Sequence, residues 1–292
     1  MDHLGRATGH VVCLLILAGV SFTQTSPRTA VDQLNALDGN SFRVLAERAS
    51  RGDAPAQTLL GIAYMQGARV ERDDVAAVNW FRRAAKKGNN VAETNLGMMY
   101  FYGRGTARSF PEALKWFRKA SEDGNNNARF NLGIMYQHGF GVPENMEEAA
   151  KWYEVAARQG DAEAQNSLGY LFEVGSGLRS NLEEAERWYR SAAEQGLATA
   201  QSNLGNFYLR RGRHHEAYQW FLRAAEQGHA GAAHNVAVLA LHGHCMPLDY
   251  ATAYKWLSVS HASDEWSLKA TAICKEHLAQ PQAQQMAVAA QR

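Results

Sequence analysis

Tryptophan recurs in this chain at a fixed interval. Trp80, Trp116, Trp152 and Trp188 stand 36 residues apart, Trp220 follows after 32, and Trp256 after another 36. An alanine lies three residues before each one: Ala77, Ala113, Ala149, Ala185, Ala217 and Ala253. A second pattern keeps the same interval: Leu60-Gly61, Leu96-Gly97, Leu132-Gly133, Leu168-Gly169 and Leu204-Gly205, with Val236-Ala237 in sixth place. Tyr64, Tyr100, Tyr136, Phe172 and Tyr208 come three residues after those glycines. A period in the thirties means a tandem array, because a unit that short cannot bury its apolar faces alone and must stack on its neighbours.

Each unit reads as two helices. The first carries Ala, Leu, Gly and Tyr at helical spacing. A glycine turn breaks it, as at Gly103-Arg104-Gly105, Gly139-Phe140-Gly141 and Gly175-Ser176-Gly177. The second carries Ala, Trp, an aromatic and a later Ala pair on one face. It stops at Gly88, Gly124, Gly160, Gly196 or Gly228, where a left-handed closing residue is wanted. The units span 53–88, 89–124, 125–160, 161–196, 197–228 and 229–264. The first lacks the second turn glycine, having Gly67-Ala68-Arg69, and the fifth is four residues shorter at Arg210-Arg211-Gly212-Arg213. A tryptophan filling the same place in every unit is expected to be core. Residues 26–52 are a linker and a capping helix, and 265–292 form C-terminal capping helices, the last beginning near Pro281.

The third unit, from Asn127 to Gly160, shows the pattern most fully: Ala-x-x-x-Leu-Gly-x-x-Tyr-x-x-Gly-x-Gly, then Ala-x-x-Trp-aromatic-x-x-Ala-Ala-x-x-Gly. This resembles the Sel-one-like repeat (SLR) of the tetratricopeptide superfamily, in the manner of its secreted bacterial members. The resemblance implies an all-α fold, a right-handed α-solenoid of tandem helix-turn-helix repeats. It also implies first helices lining a concave surface that binds a protein or peptide. Carried onto this sequence, that surface comprises Asn95, Met98, Phe101, Tyr102, Asn131, Ile134, His138, Tyr170, Asn203 and Asn206. Two readings stand for these positions. The amides pair with an extended peptide while the aromatic and Met side chains take its side chains, or the amides bond their own helices and the apolar groups are core.

The N-terminal run Val11 to Val20 is apolar, has the length of a secretion signal, and is short for a bilayer span. Residues 1–25 are therefore expected to be an export signal, with an uncleaved anchor as the alternative; only an anchor would bring membrane contact. That places the chain in the periplasm or outside the cell. Cys245 and Cys274 then either pair or stand as two small apolar residues.

A net charge of +1 and a pI near 7.8 give no electrostatic case for nucleic acid. Enzyme motifs are missing too. There is no Ser-x-x-Lys and no Cys-x-x-Cys, and Gln219 stands where a zinc protease starting at His215-Glu216 needs its second histidine. Glu147-Glu148 and Glu183-Glu184 open second helices, where negative charge suits the helix N-terminus. Eight of the 11 histidines follow residue 213, and His242-Gly243-His244-Cys245 has metal-ligand letters, read here as solvated surface. The expectation is a scaffold or adaptor of the envelope or extracellular space, with no catalytic residues, metal, cofactor or small-molecule substrate. The alternatives are an envelope hydrolase or metal-dependent enzyme on a repeat scaffold, and a structural oligomer joined through apolar caps around Trp266.

Overall fold

The computed structural model describes residues 27–243, 248–261 and 264–290. The proposed export segment, His244 and Cys245 lie outside the described residues. Every regular element among the described residues is a helix. Two precede the array, α1 (Pro27–Ala36) and α2 (Gly39–Ser50). The first helices of the repeats are α3 (Ala54–Gln66), α5 (Asn90–Tyr102), α7 (Asn126–His138), α9 (Ala162–Val174), α11 (Ala198–Leu209) and α13 (Ala230–His242). The second helices are α4 (Asp74–Ala85), α6 (Phe110–Glu122), α8 (Met146–Arg158), α10 (Leu182–Glu194), α12 (His214–Glu226) and α14 (Tyr250–Ser260). One helix, α15 (Glu265–Ala290), follows them, in place of the two segments expected to divide at Pro281. Proline's fixed φ is helical, so the helix can continue through it with one backbone hydrogen bond lost.

The chain divides into two compact units, Met1–Gln159 and Gly160–Arg292. Within the first, α3–α4, α5–α6 and α7–α8 pack as hairpins, and α4 and α6 each pack on the first helix that follows. The second unit repeats the scheme with α9–α10, α11–α12 and α13–α14, closed by α15 on α14. This is the tandem helix-turn-helix packing of an α-solenoid.

Local chemistry sets the helix starts. Asp53, Asn89, Asn125, Asp161 and His229 each accept from the backbone N–H three residues on, at the head of a first helix. Asp73, Ser109, Asn145, Asn181 and Asp249 do the same for second helices. The shortened fifth repeat has Leu197 and Arg213 at these places and no side-chain cap at either.

Within each repeat the hairpin closes on one contact. The Leu-Gly glycine has no side chain, and the aromatic after the tryptophan lies in the space. A Cβ added at Gly61, Gly97, Gly133, Gly169 or Gly205 would fall 2.6, 2.7, 2.4, 2.9 or 2.7 Å from the ring of Phe81, Phe117, Tyr153, Tyr189 or Phe221. All five rings are essentially without solvent contact. The sixth repeat changes both partners together, to Ala237 and Leu257, and both are buried.

The tryptophans take the position beside this one, and their expected core role is corrected accordingly. Trp256 is buried, but Trp80, Trp116, Trp152, Trp188 and Trp220 are only partly so. Cations cover most of the rings: Arg83 lies 4.7 Å from the Trp80 centroid, Arg187 5.2 Å from Trp188, Arg223 4.5 Å from Trp220 and Lys255 4.6 Å from Trp256. The long stems of these cations shield indole faces that a neighbouring helix does not reach.

The carbonyls at the end of each second helix have no partner within it. The following repeat supplies donors at one position: Gln57 Nε2 donates to Ala49 O (3.0 Å), Arg129 Nη2 to Ser121 O (3.3 Å) and Gln201 Nε2 to Ala193 O (3.1 Å). In the second repeat that position holds fully buried Glu93. Lys119 serves both groups there, its Nζ 2.6 Å from Glu93 Oε1 and donating to Ala85 O at 3.1 Å.

Gly133→Ala tests the central contact. Glycine-to-alanine within a helix ordinarily stabilises by about 1 kcal/mol. Here the Tyr153 ring must shift, and a net loss of about 1–3 kcal/mol is expected from overpacking. Adding Tyr153→Leu, the pairing found in the sixth repeat, should recover part of that loss. Urea denaturation of the two single variants and the double variant measures the coupling, and additive losses would refute the seat as the cause.

Candidate partner-binding face

The positions assigned to the concave surface separate by unit. In the first, Asn95 is 1% exposed and its Nδ2 donates to Val91 O at 2.9 Å. Asn131 is 6% exposed and donates to Asn127 O at 2.7 Å. Both amides bond one turn back in their own helix, as in the second of the two readings. Met98 is 2% and Phe101 8% exposed, so an open groove is corrected to packed interior there. The reason lies in the turns. Phe101 meets Tyr102, Phe110 and Phe140 at 5.0, 5.2 and 5.3 Å between ring centroids, so the turn of the third repeat closes over that of the second. His138 joins at 5.5 Å from Phe140, and burial lowers its pKa. Tyr102, Ile134 and His138 stay partly accessible at the margin of this cluster.

Phe101 has a second role. Its register position meets the tip of the ring that fills the glycine seat. Opposite Tyr153 that position is Gln137, whose Oε1 accepts from the Tyr153 hydroxyl at 2.7 Å. Opposite Tyr189 it is Glu173, accepting at 3.1 Å. Opposite Phe81, Phe117 and Phe221, which have no hydroxyl, it is Met65, Phe101 and Leu209. The residue thus follows the ring's need for an acceptor.

In the second unit the face is more open. Tyr170 is 41% exposed on α9. Asn203 Nδ2 donates to Asn166 Oδ1 at 2.9 Å, and Asn235 Nδ2 to Asn206 Oδ1 at 3.5 Å, which joins α9 to α11 and α11 to α13 through partly exposed amides. Each amide has four hydrogen-bonding sites and one bond uses one of them, so both donors and acceptors are left over. Beside them Glu173 Oε1 receives Arg210 at 2.7 Å and Arg211 at 3.4 Å, and the Arg211 guanidinium lies 3.5 Å from the Phe207 ring centroid. The structure therefore brings Tyr170, Asn203 and Asn206 together and adds Asn166, which the sequence reading missed because it lies outside the recurring Asn column. Also missed were Arg82, Arg118 and Arg190, which donate to the Tyr100, Tyr136 and Tyr208 hydroxyls at 3.3, 2.9 and 2.6 Å. A recurrence of Arg and Tyr at 18 residues, half the period, was the available signal.

Among the described residues no group of three His, Cys, Asp or Glu side chains is placed to hold a metal, and no helix is long and apolar enough to cross a membrane. Cys274 is a buried free thiol whose pKa burial raises.

Burial pushes the Glu163 carboxyl, in the first turn of α9, up to about 7, and the neighbouring Asp161 adds repulsion. A folded pKa above the ordinary 4.5 means that the folded state holds this proton more tightly than the unfolded chain. This group's contribution is therefore fully present below 4.5 and is lost as pH rises through about 7. Glu163→Gln should remove that decline, leaving the variant, relative to the natural chain, more stable at about pH 8 than at about pH 5. Thermal unfolding of both proteins across this range checks it, and parallel pH curves would overturn it.

The Sel1 repeat family model matches residues 54–89, 90–125, 126–161, 162–197, 198–229 and 230–259. The chain is 30% identical to a protective antigen of uropathogenic Escherichia coli with an SLR fold (TM-score 0.70), over 80% of this chain and 52% of that one. It therefore spans about half of that antigen's length. It is 26% identical to a Sel1 repeat protein from Oxalobacter formigenes (TM-score 0.69), over 82% of this chain and 97% of that one. A likeness to the Cut9–Hcn1 hetero-tetramer of APC/C, at 15% identity and TM-score 0.56 over 85% of this chain and 48% of that one, shows the fold alone. A search of curated proteins returns no match. The six matched segments together cover more than half of the chain, and the chain belongs to the Sel1 repeat family, whose repeats form a non-catalytic scaffold typical of protein–protein interaction.

Proposed function

We propose that this protein is an adaptor of the cell envelope or extracellular space, and that it holds an extended segment of a partner protein on the first-helix face of residues 160–292. The observation that carries this reading is the run of partly exposed amides Asn166, Asn203, Asn206 and Asn235 beside exposed Tyr170. An extended peptide presents an N–H and a C=O at every residue, and side-chain amides can answer both. Tyr170 offers a large, rigid contact area with a polar tip. The apolar N-terminal run supports an address outside the cytoplasm, as does the description of the E. coli relative as a protective antigen.

The test is proximity labelling in the native cell with the tag after Arg292, comparing the natural chain with Tyr170→Ala/Asn203→Ala/Asn206→Ala. These side chains are partly exposed, so the variant should fold. A short set of envelope proteins lost in the variant is the expected result; an identical set in both would move binding off this face. N-terminal sequencing of the mature protein should find a start between residues 20 and 27, and an intact Met1 would favour an anchor.

A second reading, end-to-end association, rests on the exposure of Trp266 (40%), Leu268 (60%) and Ile273 (48%) on α15. It predicts a dimer or larger species by light scattering that Trp266→Asp converts to monomer. A monomer at every concentration would dismiss it.

A further inference from the structure

The geometry points to a second interaction surface, on the second-helix side of the first unit, which we infer binds an acidic segment of a partner protein. No carboxylate occurs from Val75 to Ala92, while Arg82, Arg83, Lys86 and Lys87 fall together at the end of α4. Lys119 donates to Ala85 O at 3.1 Å, so the end of α4 lies against α6, which brings Lys115 and Arg118. Arg83, Lys86, Lys115 and Arg118 are all exposed.

The same face of later repeats is arranged differently. On α8, Lys151 lies 2.7 Å from Glu148 and Arg158 2.5 Å from Glu154. On α10, Arg187 lies 2.5 Å from Glu184 and Arg190 2.8 Å from Glu186. There the charges are matched within the helix. On α4, among the described residues, Arg82, Arg83, Lys86 and Lys87 form no ion pair, and Arg83 rests on an indole ring; on α6 Lys115 has only a loose pair with Glu112 at 3.8 Å, and Lys119 pairs with buried Glu93 of α5. Cations in a last turn also suit the negative end of a helix. That need does not leave them unmatched, since Arg158 fills the same role on α8 with a glutamate attached.

The guanidinium groups are held in place. Arg82 bonds Asn79 and the Tyr100 hydroxyl, Arg118 bonds the Tyr136 hydroxyl, and Arg83 stacks on Trp80. Each keeps several N–H donors unused and has little rotamer freedom left to lose. Fixed forks favour discrete carboxylates at set spacing, with two parallel bonds each. An anionic bilayer would attract these charges whatever their orientation. Half-buried Trp80 and Trp116 lie among the cations, and Trp with Arg is the composition in which binding energy concentrates at protein interfaces.

The probe is a fluorescein-labelled oligoglutamate, followed by anisotropy at low salt on the full chain. Two triple variants of equal charge change are compared: Arg83→Glu/Lys86→Glu/Arg118→Glu, and Lys151→Glu/Arg158→Glu/Arg187→Glu. The first should weaken binding at least about tenfold, which is about 1.4 kcal/mol, and the second less than about twofold. Raising the salt to about 0.5 M should abolish binding to the natural chain, since the contacts are exposed. Circular dichroism confirms that each variant folds. Should the first triple not fold, Lys86→Glu alone, at an exposed residue on which no fold contact depends, should still cost about threefold. Equal losses in the two triples would reduce the effect to net charge and overturn the proposal. So would binding to phosphatidylglycerol vesicles without binding to oligoglutamate.

Discussion

An aromatic ring resting on bare backbone is the contact on which the rest of this structure depends. Each first helix omits a side chain at one point, and the second helix presses Phe or Tyr into the gap. Glycine is costly inside a helix, by roughly 1 kcal/mol against alanine. It persists in five of six repeats because the two helices could not otherwise approach so closely while burying a full ring. The sixth repeat shows that the constraint belongs to the pair, since alanine appears only where the ring has shrunk to Leu257. A tyrosine in the seat adds a further demand, because its buried hydroxyl needs an acceptor. Gln137 and Glu173 answer that demand.

The turns show how far the pattern bends. Arg69 stands at φ +67° where the next repeats have glycine. A Cβ at Gly105 would fall 2.0 Å from Asp74 O, because the turn of the second repeat lies on the start of α4. Arg104 secures that contact, donating to Asp74 at 2.7 and 3.1 Å and to Met65 O at 3.2 Å, and its hydrogen bond holds the Asp74 carboxyl below the usual range. In the first repeat the helix α2 stands where α4 stands for the second, and the positive charge of Arg69 helps to hold the Asp38 carboxyl at the head of α2 below its usual range. The fifth repeat drops four residues from its turn and with them the left-handed glycine that ends the other first helices. α11 stops instead at Arg210 in a right-handed conformation, and the cations of that turn settle on Glu173 and Glu186.

The interval and the helix pairs were legible in the sequence, because both express a spacing that repeats six times. What recurrence did not give was the environment of each column. Trp and the aromatic after it recur equally well, yet a 100° step around the helix separates a fully buried ring from one that a cation shields. Asn95 and Asn203 share a register and differ in role. Asn95 bonds its own helix, whereas Asn203 finds Asn166 across a helix pair, and only the neighbour decides which. The same limit applied to Met98 and Phe101. A closing turn buries them, and that turn owes its apolar character to Phe110 and Phe140, residues outside the recurring set.

Repetition therefore fixes the frame and leaves function to the positions where repeats differ. In residues 27–159 the first-helix face is closed by aromatic turns and back-bonded amides, while the end of α4 carries Arg82, Arg83, Lys86 and Lys87 with no carboxylate between Val75 and Ala92. In residues 160–290 amides and Tyr170 are accessible on the first helices, and the second helix α10 pairs its own charges, as α8 does at the end of the first unit. A position that must satisfy the ring seat or a helix end has no freedom to recognise anything else. Recognition can therefore evolve only where those demands are already met, on a different face in each unit. The two surfaces proposed for this chain differ in chemistry for that reason: accessible amides on the first helices of one unit, and cations at the end of α4 in the other.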